Sequence, residues 1–145
     1  MTTDHLQSSM PGAADQDGGR LLRQSLKLDA AASGALGVLL AAGGAVLDEL
    51  LGIPAEVLVP VGGFLVVYAG SLWFLGSRAR VSRPAVWMVV VGNLLWAAAS
   101  VVAAAAGWWS PTATGIAVVL AQAAAVVVFA ELQFTGLRRS RAAVA

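Results

Sequence analysis

Apolar residues in this chain neither alternate with polar ones nor recur as a narrow stripe. They run in four long stretches, at about 28–47, 58–76, 86–106 and 115–136. Each approaches the ~20 residues that a helix needs to cross ~30 Å of hydrocarbon at a rise of 1.5 Å per residue. In lipid every backbone N–H and C=O must be satisfied within the protein, which leaves helices or closed barrels. Barrel strands are shorter and alternate in polarity, whereas Val86 to Ala106 carries only Asn93 and Ser100 as conspicuously polar side chains. The pattern predicts an all-α polytopic membrane protein, an antiparallel four-helix transmembrane bundle.

Punctuation between the stretches fits those spans. Gly52-Ile53-Pro54 breaks the first from the second, and Pro60 falls near a helix start, where its missing N–H is tolerated. Ser82-Arg83-Pro84 is a start signal for the third, and Ser110-Pro111 separates the third from the fourth. Such short connections predict that sequential helices pack as antiparallel neighbours. Residues 1–19 are polar, Gly-rich and mildly acidic, and have neither the basic segment nor the apolar core of a secretory signal. They are expected to form a disordered cytoplasmic tail, followed by a transmembrane domain over 20–141 and a short C-terminal tail over 142–145.

Composition strengthens the membrane reading. The 145 residues are 59% hydrophobic and 12% charged, against about a quarter charged in soluble domains, so the lipid bilayer is the expected partner. No cysteine is present, which excludes disulfides, thiolate metal sites and thiol redox chemistry. The single histidine, His5, stands in the polar tail. No metal or other cofactor is therefore expected. The net charge of +1 gives no ground for expecting nucleic acid.

Charge is strongly segregated. The nine basic residues fall in three places. Arg20, Arg23 and Lys27 precede the first span, Arg78, Arg80 and Arg83 lie between the second and third, and Arg138, Arg139 and Arg141 follow the fourth. The other two connections carry none; one holds Asp48, Glu49 and Glu56. With four crossings all basic clusters share one side, and the positive-inside rule makes that side cytoplasmic. The expectation is a multi-pass protein of the cell membrane with both termini inside. Trp73, Phe74, Trp87 and Phe134 near one interface, and Trp108 and Trp109 near the other, suit interfacial anchoring.

Polar groups at membrane depth are costly and are the natural candidates for a site. Asp29 begins the first span, where pairing with Lys27 or Arg23 and the helix dipole offers a purely structural role. Glu131 lies two turns inside Arg138, deep enough to need that arginine's reach or a proton. Asn93, Trp96 and Ser100 share one face of the third span, a pattern typical of interhelical hydrogen bonding. Gln122 and Gln133 share a face of the fourth, with Glu131 pointing almost oppositely, so one face is expected toward the bundle and the other toward a second subunit. By depth, Asp29, Asn93 and Glu131 form the candidate intramembrane site, a pocket expected to open inward between Arg78, Arg80 and Arg83. Ser100, Gln122 and Gln133 are candidate helix or subunit contacts. Small residues four apart in the first span (Ala30 and Gly34; Ser33, Gly37 and Ala41) and in the fourth (Ala117, Ala121 and Ala125), with Gly62, Gly63, Ala69 and Gly70 in the second, are expected to allow close backbone approach.

Three strings, Leu28-Asp29-Ala30, Gly92-Asn93-Leu94-Leu95-Trp96 and Phe129-Ala130-Glu131-Leu132-Gln133 with Gly136-Leu137-Arg138-Arg139 after it, resemble a group of small actinobacterial four-span integral membrane proteins. The resemblance implies a bacterial plasma-membrane location and carries no active-site residue. Among functions, a non-enzymatic structural, accessory or interaction protein comes first. A small oligomeric transporter or channel coupling at Glu131 or Asp29 is the alternative. A lipid-modifying enzyme comes last, for want of a nucleophile with a base beside it. Homo-oligomerisation is compatible with each of these.

Overall fold

A computed structural model of the chain describes residues 13–142 and the side chains of residues 17–140. The described residues form four helices, α1 (Ala13–Leu51), α2 (Ala55–Ser77), α3 (Arg83–Ala105) and α4 (Ala113–Ala142), and no strand. All four are long and apolar enough to cross a membrane. Large side chains such as Val46, Met88 and Val67 are more than two-thirds exposed on the outside of the bundle, a surface suited to acyl chains and hazardous in water. The chain is a multi-pass, all-α membrane protein built as a four-helix bundle.

Helix ends are fixed by local chemistry. Gly52, at φ +65°, closes α1 with its N–H on the Asp48 carbonyl, the left-handed C-terminal stop that glycine provides without steric cost. Asp48 Oδ2 then accepts from the Ala55 N–H at 3.2 Å and satisfies one open donor at the start of α2. Thr112 caps α4: its Oγ1 accepts from the Gly115 N–H at 3.0 Å and donates to the Leu50 carbonyl at 2.7 Å. One threonine thus both starts α4 and fastens it to the end of α1.

α1 starts earlier than expected. Residues 13–19, read from composition as disordered, are helical, while residues 1–12 of that tail and 143–145 at the other end lie outside the described residues. The reason is a partner: a Cβ on Gly18 would sit 2.7 Å from the Ser140 backbone nitrogen. The first turns of α1 are therefore packed against the last turns of α4, and this tertiary support outweighs their polar composition.

Glycines set the packing of α1 on α2. A Cβ on Gly62 would stand 2.6 Å from the Gly37 carbonyl oxygen, and one on Gly34 3.3 Å from the Ala69 Cβ. This antiparallel α1–α2 contact fulfils the small-residue rows on those helices. Gly63 and Gly70, by contrast, face open space, and the Ala117, Ala121 and Ala125 row of α4 is exposed. Glycines at the ends of α4 make its close approaches instead: Gly115 lies on Leu51 and Gly136 on Leu22.

The bundle also departs from simple sequential neighbours. α1 packs on both α2 and α4, and α4 on α3, but among the described residues no Cα of α2 comes within 8 Å of one of α3. Large side chains hold these two apart and bridge them: Phe64 stacks on Trp96 with centroids 6.0 Å apart, and Tyr68 bonds to Asn93. The cross-section is a horseshoe in the order α2, α1, α4, α3, with its mouth between α2 and α3.

Candidate functional site

The sole aspartate in the four apolar stretches is completely buried. Asp29 sits on the inward face of α1, beside α4 and within side-chain reach of α3, and both of its oxygens are engaged. Oδ1 accepts from the Ser33 hydroxyl one turn on, at 3.0 Å. Oδ2 accepts from the Asn93 side-chain amide at 2.9 Å and from the Gln133 amide at 2.8 Å. Asn93 in turn accepts at Oδ1 from the Tyr68 hydroxyl at 2.7 Å, and its amide approaches the Gln133 carbonyl oxygen at 3.5 Å. Five side chains from all four helices thus close one network around one carboxylate.

Every donor to Asp29 is neutral. The cations that sequence proximity offered are committed elsewhere: Arg23 donates to the Ala79 carbonyl, and Lys27 Nζ lies 5.5 Å above the Trp73 ring. Three donors satisfy both oxygens without a second ion to desolvate. In a low-dielectric interior such a network stabilises when complete and destabilises sharply when one member is lost.

A seal separates this network from the basic end. One or two turns toward that end from Asp29, Tyr68, Asn93 and Gln133 stand Leu26, Leu72, Val86 and Leu137, each at most 2% exposed and all in one cluster. The pocket expected to open inward therefore does not do so; a closed apolar layer lies beneath Asp29. Arg80 and Arg83, expected at its rim, line a separate cleft below that layer.

On the opposite side of the network lies a cavity of about 150 Å³. Ser33, Tyr68 and Asn93 form its polar edge, and Phe64, Leu65 and Phe129 are among its apolar walls. At its far side Trp96 Nε1 donates to Gln122 Oε1 at 3.1 Å, and Gln122 Nε2 donates to the Ser100 hydroxyl at 3.0 Å. The cavity lies toward the horseshoe's mouth, since half-exposed Phe64 and exposed Gly92 both line it.

The structure brings Asp29 and Asn93 together but leaves Glu131 out. Glu131 is exposed on the outer surface, in a groove with Trp87, Leu94 and Phe134. Gln133, two residues on and 0% exposed, occupies the inner position instead. Ser100 and Gln122 make a contact between α3 and α4 within one chain. Tyr68 was missed in the sequence. Its signal was its being the chain's only tyrosine, set inside an apolar span, where a phenolic hydroxyl needs a partner.

Among the described residues no three of His, Cys, Asp or Glu gather as a metal site would require. The chain matches no protein-family model, no curated protein and no solved structure.

Proposed function

We propose that this chain is a non-enzymatic integral membrane protein, a structural, accessory or interaction module of a bacterial plasma membrane with both termini in the cytoplasm. The observation that carries this reading is the saturation of Asp29 by neutral donors from α1, α3 and α4. A carboxylate held in that way locks helices together, and it is closed off from the basic end by leucines and a valine. The orientation draws on the gathering of the lysine and arginines from Arg20 to Arg139, among the described residues, at the end where α1 and α3 begin and α2 and α4 finish.

A second reading, a small oligomeric transporter or channel coupling at Asp29, draws on the cavity of about 150 Å³ that abuts the network. Glu131, on the outer surface, could serve such a protein only at a subunit interface.

Reconstitution in vesicles separates the two. Under the structural reading Asp29→Asn lowers thermal stability, and proton flux reported by a pH-sensitive dye is the same for variant and wild type. A gradient-driven flux in the wild type that Asp29→Asn abolishes, with the variant still folded, would establish transport instead.

A further inference from the structure

Below the sealing layer, at the basic end, lies a cleft of about 880 Å³. Its cations come from three elements. Arg20, Arg23 and Lys27 follow one another at spacings of three and four along α1, which puts them on one face of the helix. Arg80 comes from the α2–α3 connection and Arg83 from the first turn of α3. Among the described residues no carboxylate lines this cleft.

Three further features make it more than a patch of surface charge. One terminal nitrogen of Arg83, Nη2, is buried and has no hydrogen-bond partner among the described residues, a cost normally relieved by an acceptor. The first turn of α3 holds no acid, and its cap Ser82 makes no side-chain bond, so the positive end of that helix adds to the field. Arg23 donates to the Ala79 carbonyl and so fastens the connection to α1, which fixes the cleft walls before any ligand arrives.

We propose that this cleft binds a phosphate-bearing anion. Arginine suits the task because its planar fork of donors matches phosphate oxygens in pairs. The cleft's place at the end of the membrane spans, beside the Lys27–Trp73 contact, puts it where phospholipid headgroups lie. A soluble phosphate ester offers the same chemistry. Arg78 stands apart, 4.4 Å from the Phe74 ring and outside the cleft, and serves as the internal control.

The test uses the full chain purified in a neutral detergent, with its melting midpoint followed at matched ionic strength. Phosphatidylglycerol is titrated in mixed micelles against phosphatidylcholine, and inorganic pyrophosphate is titrated separately. Stabilisation by phosphatidylglycerol alone identifies a headgroup site, and by pyrophosphate alone a site for a soluble phospho-anion; a response to both assigns recognition to the phosphate itself. The Arg20→Gln/Arg80→Gln variant is expected to weaken half-saturation about tenfold, the equivalent of one charge-assisted contact, with Arg78→Gln unchanged. Arg83→Gln is expected to abolish the response. Should that variant not fold, the double variant still decides, since Arg20 and Arg80 are exposed. No stabilisation by either probe, or equal weakening by Arg78→Gln, would overturn the proposal.

Discussion

Gln133 of α4 donates its side-chain amide to Asp29 of α1 across 2.8 Å, while Glu131, two residues earlier, faces outward. Two residues of helix turn a side chain by roughly 200°, so the charged group and the amide exchange the roles that charge alone would assign. Gln133→Leu is expected to lower bundle stability by ~1–3 kcal/mol, the cost of leaving a buried acceptor short of a donor. Glu131→Leu is expected to change it by no more than about 0.5 kcal/mol. Reversible unfolding of both variants in mixed micelles checks the contrast.

Gly62 and Gly63 are neighbours with opposite prospects. A side chain at Gly62 collides with the α1 backbone, whereas Gly63 meets nothing within 4 Å. Gly62→Val is expected to cost about 1–3 kcal/mol, the usual range for overpacking. Gly63→Ala is expected to be neutral or slightly stabilising, because alanine is the better helix former. Melting midpoints of the two variants in detergent report the difference.

Because the chain has no cysteine, introduced pairs can be read without background. Gly34→Cys with Ala69→Cys is expected to cross-link on mild oxidation, since their Cβ positions lie 3.3 Å apart, near the spacing a disulfide adopts. Leu72→Cys with Val86→Cys is expected not to, although both side chains are buried in one cluster. No Cα of α2 is within 8 Å of one of α3, beyond the reach of a disulfide. Gel mobility of oxidised membranes measures this, and a cross-link in the second pair would refute the horseshoe.

Thr112 fastens α4 to the end of α1 through its hydroxyl. Thr112→Ala is expected to cost about 1 kcal/mol, as loss of a helix cap does. Thr112→Ser is expected to retain most of that. Hydrogen exchange at the Gly115 amide, faster in Thr112→Ala alone, would localise the effect.

The four apolar helices were legible because hydrocarbon imposes length and apolarity on a helix whatever it packs against. Asp29 and Asn93 were legible as site members for a related reason, since a polar group at that depth needs a partner. Three features depended on rotation and volume, which hydropathy does not encode. The choice between Gln133 and Glu131 turned on which face of α4 meets α1, and Gly136 on Leu22 helps fix that face. The separation of α2 from α3 arose from the bulk of Phe64, Tyr68 and Trp96 between them, while the short connection pointed to adjacency. The helical start at Ala13 depended on Gly18 lying against Ser140, a contact distant in sequence.

The carboxylate–amide pair of Asp29 and Asn93, 2.9 Å apart, can be reversed, and the reversal is the most direct trial of the clamp. Asp29→Asn sets an amide against amides, and Asn93→Asp sets two carboxylates face to face, so each alone is expected to lower the melting midpoint. The double variant restores one acid and one amide, with Tyr68 still able to donate. It is expected to recover most of the loss, with a coupling of at least ~1 kcal/mol between the sites. Losses that simply add in the double variant would contradict the clamp.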